Sequence, residues 1–177
     1  LGPGPAPGRE ARRRLVSEQA LELAGRNTAC VPLTTRETFL EIHGVRGDLE
    51  ERVTRELVTH ITPEQVEILA DRHKAFIAAF DAGDPHAAAV ANVVFHSTAA
   101  SFSKRPLTVG LIRGLWVRMG PVYAATSSLP TVSPADPSHP HLKILEAFLK
   151  RDEEAAVTAL RQDFVQAREW LEPLLPG

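Results

Sequence analysis

One cysteine, Cys30, in a chain of 177 residues leaves nothing from which to build an intramolecular disulfide framework or a cysteine-rich zinc site. No run of about 18 uninterrupted apolar residues occurs, so the sequence predicts no membrane-spanning helix. No charged, apolar and small-residue series resembles a signal peptide, and the default compartment is the cytoplasm. A P-loop, a dinucleotide GxGxxG, a GxSxG elbow and an HExxH are all missing, so no common catalytic motif directs the reading. Aromatic residues make up only 6%. What is present, 44% apolar and 24% charged residues, is close to the average of globular chains and removes the disordered and collagen classes. The balance of 20 Lys+Arg against 22 Asp+Glu, net −2, argues against a surface given over wholly to nucleic acid, though a local basic patch stays open.

The charge is unevenly spread. Arg9, Arg12, Arg13, Arg14 and Arg26 outnumber Glu10, Glu18 and Glu22 within residues 1–30, and the rest of the chain is acidic. The chain begins with Leu1 in a Gly- and Pro-rich LGPGPAPG, which suggests that something upstream is missing. REARRRLVSEQ then reads as a short helix, and ALEL and ACVPL read as two short strands around a Gly25-Arg26-Asn27 turn. From Thr34 onward the pattern is helical. Thr34 to Glu37 and Thr62 to Gln65 fit the capping box, and Gly83-Asp84-Pro85 gives a stop and a new start. Apolar residues at helical spacing predict six helices over about 34–59, 62–82, 84–103, 105–127, 137–150 and 152–173. Most joints are short enough to force antiparallel neighbours; the stretch SSLPTVSPADPSHP is expected to be irregular. The fold expected is therefore all-α, an antiparallel bundle preceded by a short helix and a small β-hairpin.

Polar side chains on the apolar faces are the candidates for chemistry. Asn92 and His96, four residues apart, share one helix face with Ala88, Phe95 and Ala99. Asp163 sits in the run 156, 160, 163, 167, 170, where an acid needs a partner. His141 shares a stripe with Leu145 and Phe148. If the last two helices turn at Arg151-Asp152, His141 and Asp163 each lie about 16 Å up their helices and stand side by side. Asn92, His96, His141 and Asp163 then form a nitrogen and oxygen set suited to a divalent ion such as Zn, Ni or Mn, with positions left for water or a chelating ligand. Two histidines and one carboxylate also suit an oxygenase iron. The alternative for each histidine is a hydrogen-bonded core residue, and that is the reading given to His43, His60, His73, His86 and His139. Trp116 and Trp170 read as core or dimer-interface anchors, and the Arg9–Arg14 cluster as either a solvated helix face or a nucleic-acid contact.

Several segments resemble one family. Asn92-Val-Val-Phe-His96 resembles the D-x-x-F-H motif of the effector-binding domain of GntR-family transcription regulators of the FadR type. His141-Leu-Lys-Ile-Leu-Glu-Ala with Lys150-Arg-Asp-Glu-Glu-Ala-Ala, Val45-Arg46-Gly-Asp-Leu-Glu50 and Gly83-Asp84 resemble further motifs of that domain, in the same order, over about 34–171. Gly8 to Leu15 resembles the recognition helix of the family's winged helix-turn-helix, and Asn27-Thr-Ala-Cys-Val31 its wing, with Gly8 in place of Val and Thr28 in place of the wing glycine. Residues 1–33 are accordingly expected to be a truncated DNA-reading remnant, with Arg9, Arg12 and Arg13 as its DNA contacts, and residues 34–177 a helical effector-binding and dimerisation domain. Lacking its supporting helices, the recognition helix is expected to bind DNA poorly in this chain.

The resemblance implies a homodimer that meets a DNA operator in the full-length protein, a small carboxylate effector, and a metal held by an Asp and three His. Carried over, those positions are Asn92, His96, His141 and Asp163, with Asn92 standing for Asp and Asp163 for the last His. Effector binding falls to Arg46, Asn92, His96 and His141, Arg46 because its guanidinium fork matches a carboxylate. The leading expectation is a transcription regulator and not an enzyme. The alternatives are a metal-dependent helical-bundle enzyme using His96, His141 and Asp163, and a stand-alone ligand-binding dimer without DNA binding.

Overall fold

Cap chemistry sets the element boundaries in the computed structural model, which describes residues 5–17, 21–24, 28–32 and 34–175. The first helix, α1 (Pro5–Ser17), begins four residues before the expected start and runs through Gly8; a proline suits a first helical position, and one internal glycine costs only about 1 kcal/mol. A hairpin follows, β1 (Glu22–Ala24) paired antiparallel with β2 (Thr28–Cys30) in the register Glu22↔Cys30, Leu23↔Ala29 and Ala24↔Thr28. These strands are shorter than ALEL and ACVPL and lie closer to the turn. The turn itself, Gly25-Arg26-Asn27, and residues 1–4 of the Gly/Pro-rich start lie outside the described residues.

Six helices follow: α2 (Arg36–His60), α3 (Pro63–Asp81), α4 (Pro85–Ser101), α5 (Pro106–Ala124), α6 (Pro140–Lys150) and α7 (Glu153–Leu171), with a 3-10 turn at Glu172–Leu174. At α2 the cap is Thr35, whose side chain accepts from the Thr38 amide, and not a Thr34 and Glu37 box; Thr34 is buried instead. The expected box at α3 is complete: Thr62 accepts from the Gln65 amide at 3.2 Å and Gln65 accepts from the Thr62 amide at 3.0 Å. Asp84 and Asp152 cap α4 and α7 in the same way. Between α5 and α6 the Pro- and Ser-rich segment forms only turns, pinned where the Trp170 indole donates to the Ser128 carbonyl at 2.8 Å.

Gly83 ends the α3 turn at φ +68°, where an L side chain is strained, although a Cβ there would meet nothing within 4 Å. Gly83→Ala should therefore destabilise by about 1 to 2 kcal/mol, read as a shift of the urea midpoint with unchanged m-value.

The helices close into a ring. Going round it, α2 packs on α5, α5 on α4, α4 on α3, α3 on α6, α6 on α7, and α7 returns to α2. Gly47 allows the last contact to be close, because a Cβ there would stand 3.3 Å from the Phe164 ring. Apolar layers formed by Phe39, Leu57, Leu69, Ile112, Phe148 and Leu171, all nearly inaccessible, fill much of the interior. The remainder is polar, and every helix of the ring contributes to it: Arg46 and Glu50 from α2, His73 from α3, Asn92 and His96 from α4, Tyr123 from α5, His141 from α6 and Asp163 from α7 are all buried.

Candidate metal and effector centre

Three of the four expected ligands meet. His96 Nε2 lies 2.9 Å from Asp163 Oδ2, His141 Nε2 lies 3.2 Å from Asp163 Oδ1, and the two Nε2 atoms are 3.3 Å apart. Ligand atoms about 2.1 Å from one cation are separated by roughly 3.0 to 3.4 Å in octahedral or tetrahedral geometry; the nitrogen-to-nitrogen edge lies in that range, while the two histidines approach different oxygens of Asp163, and one ligand atom of each residue lies within 4.8 Å of the others. This triangle also places both Nε2 atoms toward the same carboxylate. Each nitrogen faces its own oxygen of that carboxylate, so the arrangement serves two N–H donors as well as two lone pairs on a shared cation.

Neighbouring side chains fix the rings. Phe95, the aromatic residue of the Asn92 to His96 motif, stacks on His141 with centroids 3.8 Å apart and planes 9° from parallel. Glu50 Oε2 lies 3.0 Å from His96 Nδ1, the carboxylate-to-histidine arrangement that orients an imidazole and makes its other nitrogen a better ligand. Burial pushes the His96 imidazole down, but Asp163 and Glu50 outweigh it and raise it to about 9. Burial likewise favours a neutral Asp163, yet His141 and His96 hold its carboxyl well below the usual carboxylate range. The centre thus attracts positive charge, and a proton and a metal ion compete for it.

Asn92 lies one turn before His96 and is buried; together with Asp163, Phe76, His139 and Trp170 it lines a cavity of about 40 Å³ beneath the 130–132 loop. Arg46 is 1% exposed and lies in the bundle centre, its guanidinium carbon 3.7 Å from the Trp116 ring centroid and 4.6 Å from that of Phe164. Its ion pair with Glu50 is long, 3.6 Å. Among the described residues, Arg46 Nε and Nη1, Trp116 Nε1, the Tyr123 hydroxyl and Glu50 Oε1 are buried without a hydrogen-bond partner. Four of those five atoms can donate, so beyond the long Arg46–Glu50 pair the cluster holds donor capacity that the described side chains leave unused. Trp116 is buried in the hydrophobic core, one of the two roles the sequence offered for it.

Arg9 and Arg13 are exposed on α1, and Arg12 is half-buried there. The sequence reading gave Glu50 no role of its own and gave His73 and His139 that of hydrogen-bonded core histidines; both are buried and hydrogen-bonded, whereas His86, read the same way, is exposed. The stripe Ile42, Arg46, Val53, Leu57 carries a signal for Glu50, since it falls four residues after Arg46 on the buried face. His73 and His139 surround His141 from the other side: His73 Nδ1 is 3.2 Å from His141 Nδ1, and His139 Nδ1 accepts from the His141 amide at 3.2 Å, capping α6. Burial and the neighbouring His141 push His73 down to about 4 and His139 to about 3, so both are neutral near pH 7.

The model of a family described as the FCD domain matches residues 41–166. The HTH-type transcriptional regulator McbR of Escherichia coli (strain K12) is 32% identical over 121 residues, which cover 68% of this chain and 55% of that protein; the chain spans about half the length of this curated relative. A solved structure of E. coli McbR/YncC superposes with a TM-score of 0.85 at 27% identity, covering 98% of this chain and 82% of that one. A GntR family member from Pseudomonas syringae pv. tomato str. DC3000 shares the fold, with a TM-score of 0.58 at 17% identity over 94% of this chain and 69% of that one.

Proposed function

Because the chain belongs to the FCD-domain family of GntR-type transcription regulators, we propose that its helical ring is the sensing part of a DNA-binding regulator responding to a small organic acid. In this reading residues 34–177 bind effector and dimerise, and residues 1–33 belong to the DNA-reading part, with Arg9, Arg12 and Arg13 on the operator. The relatives named above are regulators, which favours sensing over catalysis.

His96, His141 and Asp163 hold a divalent ion such as Zn, Ni or Mn, with Asn92 one turn away on α4. A bound ion supplies positive charge and open coordination positions for an effector oxygen. Arg46 takes the effector carboxylate, its guanidinium carbon lying over the Trp116 and Phe164 rings, while Trp116 Nε1 and the Tyr123 hydroxyl offer further donors. Glu50 keeps His96 oriented and repels an acid that approaches on the wrong side. The observation that carries the reading is the set of buried, unpaired donors around Arg46 next to the His96–His141–Asp163 triangle.

The test is a thermal-shift screen of small mono- and dicarboxylates against metal-free and metal-loaded protein, with metal content measured by mass spectrometry. A ligand at about 100 times its Kd adds about 2.7 kcal/mol to apparent stability, and the rise should be larger after Zn, Ni or Mn is supplied. Metal retention that is equal in wild type and Asp163→Ala removes the ion from this triangle. No carboxylate response with or without metal removes the acid.

A further inference from the structure

We propose that His73, His139 and His141 form a second metal site, taking an ion that prefers nitrogen donors such as Cu²⁺ or Zn²⁺, with the His141 ring bridging it to the first ion. The bridge rests on the ion proposed at His96, His141 and Asp163; the second triad itself does not.

The three imidazoles come from two directions onto one point. His73 rises from α3, His139 closes the irregular segment, and His141 stands in the first turn of α6. One nitrogen from each lies within 4.8 Å of the others, and all three residues are buried. One edge of the triad, 3.2 Å from His73 Nδ1 to His141 Nδ1, falls within the roughly 3.0 to 3.4 Å spacing of ligands around one cation. His139 uses Nδ1 as the α6 cap, so an ion taken through Nε2 would leave that cap in place. Phe76 and Phe95 flank the rings and leave few ways for them to turn away.

His141 points its two nitrogens at two different groups. Nε2 faces His96 and Asp163, and Nδ1 faces His73. A neutral imidazole has a single lone pair, so it serves both triads only after its remaining N–H proton passes to solvent. The resulting imidazolate then binds one cation at each nitrogen. Two imidazoles and one imidazolate with no carboxylate suit Cu²⁺, Zn²⁺ or Ni²⁺ and do not suit Mg²⁺, Ca²⁺ or Mn²⁺. Access is shared as well, since the 40 Å³ cavity is lined by His139 from the second triad and by Asp163 from the first. That volume exceeds the roughly 10 to 15 Å³ needed for one water-sized occupant.

The experiment loads the metal-free full chain with excess Cu²⁺, removes unbound ion by gel filtration, and measures copper per chain with the electron paramagnetic resonance spectrum. Wild type should hold two ions per chain and show the weakened, coupled signal of an imidazolate-bridged pair. His73→Asn and His139→Asn should each hold one ion and show the full signal of an isolated Cu²⁺. Asp163→Asn should also hold one, bound by nitrogens only. One ion per wild-type chain, lost in Asp163→Asn and kept in His73→Asn, overturns the second site and leaves the first standing. One ion lost in His73→Asn and kept in Asp163→Asn supports the second triad, overturns the bridge and removes the first ion. Two ions without magnetic coupling also overturn the bridge. Because wild-type stoichiometry alone decides the count, a variant that fails to fold does not shelter the proposal.

Discussion

In metal-free protein, Asp163→Asn should lower stability near pH 7 by about 3 to 5 kcal/mol, the usual cost of removing one partner from a buried ionic set. It should also flatten the pH dependence on the alkaline side. His96 is raised to about 9 in the folded protein from an ordinary value of about 6.5. A group whose folded value is the higher one binds its proton more tightly in the native state. The stability it contributes is fully present below about pH 6.5 and is lost as pH rises through about 9. For a shift of that size the loss is about 3 kcal/mol. Urea titrations with a chelator at pH 6 and at pH 9.5 measure it directly. Glu50 remains beside His96 in the variant, so the slope should shrink without vanishing. An unchanged slope in Asp163→Asn would show that Asp163 does not hold the His96 proton.

The second large effect concerns Arg46. Arg46→Ala removes a cation that is 1% exposed, leaves Glu50 with only His96 as counter-ion, and opens a slot between Trp116 and Phe164. The expected loss is about 3 to 5 kcal/mol, or a fall in Tm of roughly 10 °C for a chain of this size. Arg46→Lys separates charge from shape. The ammonium keeps the charge near Glu50 but has neither the flat surface that lies on Trp116 nor the paired N–H groups of a fork. It should fold, with a smaller loss, and the Tm rise produced by a carboxylate should fall at least tenfold in apparent affinity. A fully retained response in Arg46→Lys would take the acid away from this residue. Destabilisation below about 1 kcal/mol in Arg46→Ala would mean that the buried pair contributes little.

Much of the architecture can be read from local chemistry. Thr62, Asp84 and Asp152 announce their helices because an N-cap is satisfied within four residues, and no distant contact is needed. The position of the α2 cap was less legible: Thr34 and Thr35 are chemically equivalent in a pattern, and only burial of Thr34 assigns the role to Thr35. His141 and Asp163 could be placed at one depth because the turn between α6 and α7 is short and rise per residue is constant. His73 and His139 were not legible in the same way. His73 lies 68 residues before the ring it touches, and His139 ends a segment without period. Nothing local distinguishes either from a satisfied core histidine. Glu50 lay between these cases: its spacing from Arg46 was visible, but a buried acid is recognisable as an orienting group only once His96 is seen opposite it.

Helix α2 has a further mechanical consequence. It is a rigid rod of 25 residues, about 37 Å long, gripped near its middle by α5 and α7. Arg46 and Glu50 sit at that grip, while Arg36 begins the arm that leads back to the β1–β2 hairpin. The arm from Arg46 to Arg36 is about 15 Å. That arm is tied to the end of α7: Phe39 on it is fully buried and Arg36 donates to Glu172, so the hairpin is joined to the bundle at the place where the first and last helices of the ring are clamped together.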